Sequence, residues 1–211
     1  MDAQFWIDRW TEGATAFHQT NFHDFLVKYF PQLEPRPGER VLVPLCGKSK
    51  DLLWLSQLNL EVQGFELYEK AIEAFFVENE LPAPTKSSHG PFTVYSLHNL
   101  SLHVGDFFSF EERATFSLVY DRAALVALPA DLRKRYAKKL SAAVAPSGKQ
   151  LLISYTYDPE QLAGPPFSVD ETEIQRLYSA DFSIRVLESR PAKEPKLAAA
   201  HAIETAYLWK K

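Results

Sequence analysis

The chain has one cysteine in 211 residues. A single thiol cannot close an intramolecular disulfide, and this usage is consistent with a cytosolic address. No uncharged apolar run approaches the roughly 20 residues needed to cross a bilayer, so no membrane partner is expected. The opening segment MDAQFWIDRW has no basic region leading into an apolar core, so no signal peptide is expected. No basic stripe stands out, and the net charge of −4 argues against nucleic acid as a partner. Internal repeats and low-complexity segments are also missing. No metal is expected. His18 and His23 lie on an expected helical segment, His98 and His103 flank a strand, Cys46 has no partner, and none has the spacing of a metal site.

What remains has an ordinary globular composition, with 46% hydrophobic and 24% charged residues. The length suits one domain over residues 1–211. Residues 1–35 read as a helical cover. Phe5, Trp6 and Trp10 share one face, and Phe22, Phe25, Leu26 and Tyr29 form another stripe. The linker PQLEPRPGER then leads into a core spanning 40–211. Within it, strand and helix patterns alternate. Strands are expected at 41–45, 61–66, 91–97, 100–106, 116–121 and 150–157, and helices at about 49–59, 69–79 and 130–144. Ser168-Val169-Asp170-Glu171 reads as a capping box opening a helix through Tyr178. Residues 82–91 read as a loop rich in proline, serine and glycine. The runs SIRVLES and AIETAYLW close the chain as an antiparallel edge. The alternation predicts an α/β fold, a mainly parallel sheet with helices on both faces.

The stretch VLVPLCGKSKDLLWL, Val41 to Leu55, is the most informative. An apolar strand ends at Cys46-Gly47-Lys48, an amphipathic segment follows, and a second apolar run ends in Glu66 twenty residues after Cys46. Strand, tight turn, helix, strand and carboxylate is the layout of a nucleotide-binding βαβ unit, or else a structural strand-turn-helix. The turn has one glycine, Gly47, where G-x-G-x-x-G would let the backbone approach a pyrophosphate, and G-x-x-x-x-G-K-[ST] is missing as well. An adenosyl ligand without phosphate fits this better than a dinucleotide.

Three strands end in carboxylates. Glu66 can accept from both ribose hydroxyls, or can be a solvated strand end. Asp106 in LHVGDFF can meet an adenine amino group, with Phe107 or Phe108 against the ring. Asp121-Arg122 ends a further strand. All three converge on the edge where open α/β sheets bind ligands. Cys46 reads as a packed small residue rather than a nucleophile, since no histidine base neighbours it. Lys134, Arg135, Lys138 and Lys139 read as a solvated helix face.

FW-x3-W (Phe5, Trp6, Trp10), Ala16-Phe17-His18, VLVPLCGKSKDLLWL, VQGFELYEKAIEAFF, GDFF, VYDRAALVALP, RYAKKL and YDPEQLAGPPFSV occur in this order between about residues 5 and 178. Together they resemble the thiopurine S-methyltransferase family, class I S-adenosylmethionine-dependent methyltransferases. The resemblance implies a doubly wound, Rossmann-like, seven-stranded sheet under an N-terminal helical cover. It further implies S-adenosylmethionine as cofactor, S-adenosylhomocysteine as product, and methyl transfer to the sulfur of thiopurines or other aromatic or heterocyclic thiols. Cofactor contacts fall on Trp10, Leu45, Glu66 and Arg122, with Asp106 and Phe107 beside the adenine. Phe17 matches a position near the acceptor, and Pro165, Pro166 and Phe167 a segment close to its pocket. In RPAKEPKLAAAHAIE the chain departs from the family. An acceptor-contacting arginine cannot be assigned there, and Lys193 or Lys196 stand as substitutes. Asp121 is the candidate catalytic residue, as a minor proton acceptor. The protein is expected to be a cytoplasmic monomer acting on a small thiol or chalcogen substrate. The other readings are a same-fold methyltransferase acting on a halide, selenium or tellurium species, and a non-catalytic adenosyl-binding module. A nicotinamide oxidoreductase lacks its glycines.

Overall fold

A computed structural model describes residues 3–13 and 18–211. Its centre is a nine-stranded sheet in the order β3-β4-β5-β2-β1-β6-β7-β9-β8. The strands are β1 (Arg40–Val43), β2 (Glu61–Glu66), β3 (Thr85–His89), β4 (Phe92–Leu97), β5 (Leu100–Val104), β6 (Phe116–Arg122), β7 (Val144–Thr156), β8 (Ser183–Pro191) and β9 (Ile203–Lys210). The helices are α1 (Ala3–Thr11), α2 (Asp24–Tyr29), α3 (Asp51–Gln57), α4 (Glu69–Glu78), α5 (Ala130–Ala143), α6 (Glu171–Tyr178) and α7 (Pro195–Ala199). Strands β5, β2, β1, β6 and β7 run parallel, and β9 lies antiparallel between β7 and β8. These are the seven strands that the family resemblance implies; β4, itself expected as a strand, and β3, expected as loop, make nine. The hairpin β3–β4 extends the sheet beyond them on the β5 side.

The parallel strands are apolar on both faces because both faces are covered. Successive side chains point to opposite sides. Val41, Val43, Leu118 and Tyr120 thus share one core with Phe25, Leu52, Leu55, Ile72 and Phe75 of α2, α3 and α4. Leu42 and Val119 share the other core with Tyr136, Leu140, Ile174, Tyr178 and Trp209.

Several local expectations are corrected. Thr85–His89, expected as loop, pairs with β4 around the turn Gly90-Pro91. Every residue of β3 is exposed, so TKSSH carries no apolar alternation to betray it. The cap of α6 is Asp170, whose carboxylate accepts from the Glu173 N–H at 2.7 Å. Ser168 instead hydrogen-bonds the Tyr157 backbone, accepting from its N–H at 3.0 Å and donating to its carbonyl at 2.8 Å. The N-terminal part is two separate helices, and His23 caps the second rather than lying within it. Among the described residues, no helix is long and apolar enough to cross a membrane.

At Gly64 in β2, an added Cβ would lie 2.8 Å from Cys46 Sγ and 2.8 Å from Leu102 Cδ2. That glycine lets the β1–α3 turn sit directly on β2, the strand that ends in Glu66. Overpacking of this kind costs about 1–3 kcal/mol. In a chain of this size, each kcal/mol shifts the melting temperature by roughly 2–4 °C. Gly64→Ala is therefore expected to melt roughly 3–10 °C lower. An unchanged melting temperature would show that Cys46 and Leu102 yield freely.

Candidate active site

Chain order makes the crevice. From β1 the chain builds outward through β2 to β5 on one side, then crosses back from β5 to place β6 on the other side of β1, and this reversal opens a gap at the carboxyl ends of the strands. A cavity of about 500 Å³ lies at that edge. Its size is that of a small-molecule site. Leu45, Glu66, Asp106 and Arg122 line it, as do Trp6 and Trp10 from α1 and Pro165 and Pro166 from the loop before α6.

The turn after β1 is held in shape by its neighbours. Leu45 has φ 47° and Gly47 φ 53°. The left-handed region costs a residue with a Cβ about 1–2 kcal/mol. Only the second of the two positions carries glycine, and a Cβ there would also press on the Trp10 ring at 3.1 Å. Trp10 in turn stacks on Tyr68, centroids 6.2 Å apart. Cys46 is buried, and its N–H donates to the Phe65 carbonyl at 2.8 Å. Burial pushes its thiol well above the ordinary range, so it is the packed residue expected.

Glu66 is buried, and its two carboxylate oxygens are both anchored. Oε2 accepts from the Gly47 N–H at 2.9 Å and Oε1 from the Tyr68 N–H at 2.8 Å. Burial raises its pKa, and the backbone N–H groups of Tyr68, Gly47 and Leu67 pull the other way. Each oxygen keeps a further lone pair for a hydroxyl donor. At the end of β5, Asp106 Oδ1 accepts from the Phe108 N–H at 2.9 Å. Phe107 and Phe108 follow it on the wall, and Phe107 belongs to an aromatic cluster with Phe65 and Tyr136. Arg135, expected on a solvated face, lies over the Phe108 ring at 4.3 Å and also lines the cavity.

Arg122 is fixed from below. Its Nε donates to Asp51 Oδ2 at 2.9 Å, and its Nη2 donates to Ser49 Oγ at 3.1 Å. Tyr120 OH donates to the same Asp51 oxygen at 2.9 Å. Burial is the largest single influence and works against the guanidinium charge, but Asp51, Tyr120 and Tyr155 together outweigh it and raise the pKa. Tyr120 and Arg122 are two residues apart on β6 and share a face, with Asp121 on the other.

That alternation overturns the part assigned to Asp121. Its carboxylate is fully buried behind the wall and does not line the cavity. Oδ2 accepts from Tyr136 OH at 2.7 Å and Oδ1 from the Leu125 N–H at 3.2 Å. It braces α5 and the segment after β6, and no acceptor proton is within its reach. Phe167 is likewise not on the cavity wall. Its N–H donates to the Val126 carbonyl at 2.7 Å, and its ring lies under Arg133. Phe17 lies outside the described residues. Of the two lysines near the tail, Lys193 pairs with Asp24, whereas Lys196 lines the cavity with Glu194 and Leu197. The sequence reading missed Tyr155 and His18, both on the wall. Among the described residues, no cluster of three potential metal ligands occurs.

The family model described as Thiopurine S-methyltransferase matches residues 1–211. The chain belongs to the thiopurine S-methyltransferase family. The thiopurine S-methyltransferase of Bordetella petrii is 44% identical over 202 residues, covering 94% of this chain and 92% of that protein. That of Azotobacter vinelandii is 45% identical over 192 residues, covering 90% and 87%. Solved structures share the fold at lower identity. The 1,6-didemethyltoxoflavin-N1-methyltransferase of Burkholderia thailandensis, crystallised with its substrate and S-adenosylhomocysteine, is 14% identical and covers 99% of this chain and 86% of that one at a TM-score of 0.69. A TehB-like S-adenosylmethionine-dependent methyltransferase of Corynebacterium glutamicum is 15% identical and covers 99% and 98% at 0.57. As a member of the thiopurine S-methyltransferase family, the protein is an S-adenosylmethionine-dependent S-methyltransferase. Its donor set fits that cofactor: an anchored carboxylate at Glu66, a buried cation at Arg122, and aromatic walls.

Asp121 gives a test of its structural part. Burial pushes its carboxyl from an ordinary 3.8 up to about 6. Between those values the folded protein keeps a proton that the unfolded chain has lost. The group's stabilising contribution is therefore complete below about 3.8 and is lost as the pH rises through about 6. Asp121→Asn does not titrate, so its melting temperature relative to the wild type is expected to rise between about pH 4 and about pH 7, by up to about 3 kcal/mol equivalent. His103, which burial holds near 4 and which acts with the opposite sign, cancels in this difference. A gap that does not vary with pH would mean that Asp121 stays ionised throughout.

Proposed function

We propose that the protein methylates the sulfur of flat aromatic or heterocyclic thiols, thiopurines among them. The observation that carries this is the acceptor-side wall. Val126, Leu128, Pro165, Pro166 and Leu197 are apolar, and the one carboxylate proposed as a proton acceptor, Asp121, turns away from them. Such a wall suits a planar ring whose thiol is already ionised or loses its proton to water. Proton-transfer help, worth roughly 10²–10⁴-fold where it is needed, is of least use to such an acceptor.

When bound, S-adenosylmethionine supplies an electrophilic methyl group on a sulfonium sulfur. The chain's own residues bind and align. Glu66 accepts from the ribose hydroxyls, Asp106 and Phe107 meet the adenine, and Leu45 packs against the nucleoside. Arg122 offers its charge to the carboxylate end. Trp10 covers the site from α1, where an aromatic face favours a cation and excludes water. Pro166 borders the acceptor, and Lys196 is the tail cation nearest to it. Holding two reactants in line can itself supply about 7–11 kcal/mol of the barrier, so positioning is the main device. The reading takes the chain as one domain over 1–211, with 1–35 as cover and 40–211 as core. It acts as a monomer in the cytoplasm, without nucleic acid. The single cysteine supports the cytoplasmic address, and the lack of a basic stripe the absence of nucleic acid.

The test is S-adenosylhomocysteine release measured by mass across thiopurines, simple aromatic thiols, halides, and selenium and tellurium oxyanions. Aromatic thiols are expected to give the highest kcat/KM. Turnover confined to halide or chalcogen species would overturn the acceptor assignment, and binding without turnover would favour a silent module. A second experiment probes Glu66. In Glu66→Gln, whichever way the amide turns, its NH₂ faces a backbone N–H that the carboxylate had accepted from. Hydrogen bonds to charged groups are worth about 1.5–3 kcal/mol, so cofactor affinity is expected to fall about 10-fold or more by calorimetry. Unchanged affinity in a folded variant would remove Glu66 from the site.

A further inference from the structure

Two buried carboxylates stand behind the cavity wall, Asp51 holding Arg122 and Tyr120 and Glu204 holding Tyr155. Asp51, 1% exposed, receives Arg122 Nε and Tyr120 OH on one oxygen. Glu204, 4% exposed, receives Tyr155 OH at 3.2 Å on Oε1 and Arg190 Nε at 2.9 Å on Oε2. Arg122 and Tyr155 line the cavity, and neither carboxylate does. One residue touches both carboxylates. The His23 backbone N–H donates to Asp51 Oδ1 at 2.9 Å, and its ring Nε2 lies 3.1 Å from Glu204 Oε1. The ring's other nitrogen, Nδ1, accepts from the Phe25 N–H at 3.2 Å and caps α2. A nitrogen that accepts there carries no proton, so the proton is on Nε2, where Glu204 accepts it. His23 is buried and does not itself line the cavity.

We propose that His23 is a positioning residue for methyl transfer, joining Asp51 to Glu204 so that Arg122 and Tyr155 are held as one wall. The first contact comes from the backbone and survives any substitution other than proline. The second depends on the side chain, and it alone reaches the strand that carries Glu204. Its loss leaves Glu204 with one donor fewer on the oxygen it shares with Tyr155. Glu204 is then held by Arg190 alone, on its other oxygen, and the carboxylate and the Tyr155 phenol it receives are less firmly fixed against the cavity. The same histidine follows His18 and Gln19, which line the cavity, so the joint also fastens that part of the wall. Local sequence gives no hint of the arrangement, because Glu204 lies 181 residues from His23.

The inference rests on the assignment of Arg122 to the cofactor. It is tested with two variants that each keep one ring nitrogen's work. In His23→Asn the amide oxygen replaces Nδ1 and keeps the cap, but nothing reaches Glu204. In His23→Gln the amide nitrogen replaces Nε2 and keeps the Glu204 contact, but the cap is lost. Cofactor Kd, kcat and acceptor KM are measured with each, beside melting temperature. A hydrogen bond to a charged group is worth about 1.5–3 kcal/mol, which converts to roughly 10–100-fold. His23→Asn is expected to lose about 10-fold or more in kcat/KM while melting close to the wild type. His23→Gln is expected to stay within about threefold of wild-type kcat/KM while melting lower. The reverse order, equal losses that follow melting temperature, or no loss in either variant would each overturn the proposal. Arg122→Ala separates this from the cofactor assignment. If it leaves cofactor Kd unchanged, that assignment fails. If it weakens binding while His23→Asn does not lower kcat/KM, the positioning role alone fails.

Discussion

The ion pair between Asp51 and Arg122 is the constraint on which the ligand edge depends. Both side chains are nearly removed from water. A buried pair is tolerable only when its remaining lone pairs and protons are satisfied, and removing one partner costs about 3–5 kcal/mol because the other charge stays buried. Asp51 meets that condition with three donors from two parts of the chain: the His23 N–H and, on β6, Tyr120 OH and Arg122 Nε. The pair therefore joins the cover, the first helix of the nucleotide-binding unit and β6. With Ser49 Oγ taking another guanidinium nitrogen, the orientation of Arg122 is set before any ligand arrives. Electrostatic groups that are organised in advance cost nothing to reorganise during reaction.

The three carboxylates at this end of the sheet have the same chemistry and different fates. Glu66 is held by two backbone N–H groups and keeps lone pairs toward the cavity. Asp106 caps a short turn and stays exposed. Asp121 faces the opposite core, bonded to Tyr136 and Leu125. What separates Asp121 from Arg122 is strand parity alone. A shift of one residue in β6 would put the carboxylate on the crevice side and bury the arginine against α5. Parity is enforced by Leu118 and Tyr120 in one core and Val119 in the other.

Much of this was legible in the chain. The parallel strands read as apolar runs, and the turn after β1 and the carboxylate ending β2 stood at the spacing that defines the unit. Trp10, Leu45, Glu66, Asp106, Phe107, Arg122 and Pro166 all reach the cavity. The misses have physical causes. β3 gave no signal because an exposed edge strand has no buried face to pattern. Asp121 was misread because acidic residues at strand ends were counted without asking which face each one takes. Arg135 looked like part of a solvated helix face because its partner, Phe108, arrives from the loop after β5. Asp51 and Glu204 drew no attention because their partners are distant in sequence: 28 to 71 residues from Asp51, and up to 181 from Glu204.

The same logic sorts the two lysines of the tail. Glu194 caps α7, accepting the Leu197 N–H at 2.9 Å, and Pro195 occupies the first helical position. A helix start there turns the chain between Lys193 and Lys196. Asp24 holds Lys193 to α2, next to Arg190, which also binds Glu204. Lys196 is left on the cavity side of α7 with Leu197. The short alanine-rich connection thus delivers one cation to the cavity through a helix cap, where the family pattern leads one to look for an arginine. An ammonium is a compact, strongly hydrated point charge, whereas a guanidinium offers a rigid planar fork that also stacks on flat rings. A lysine at this point presents a point charge to the cavity in place of a planar fork.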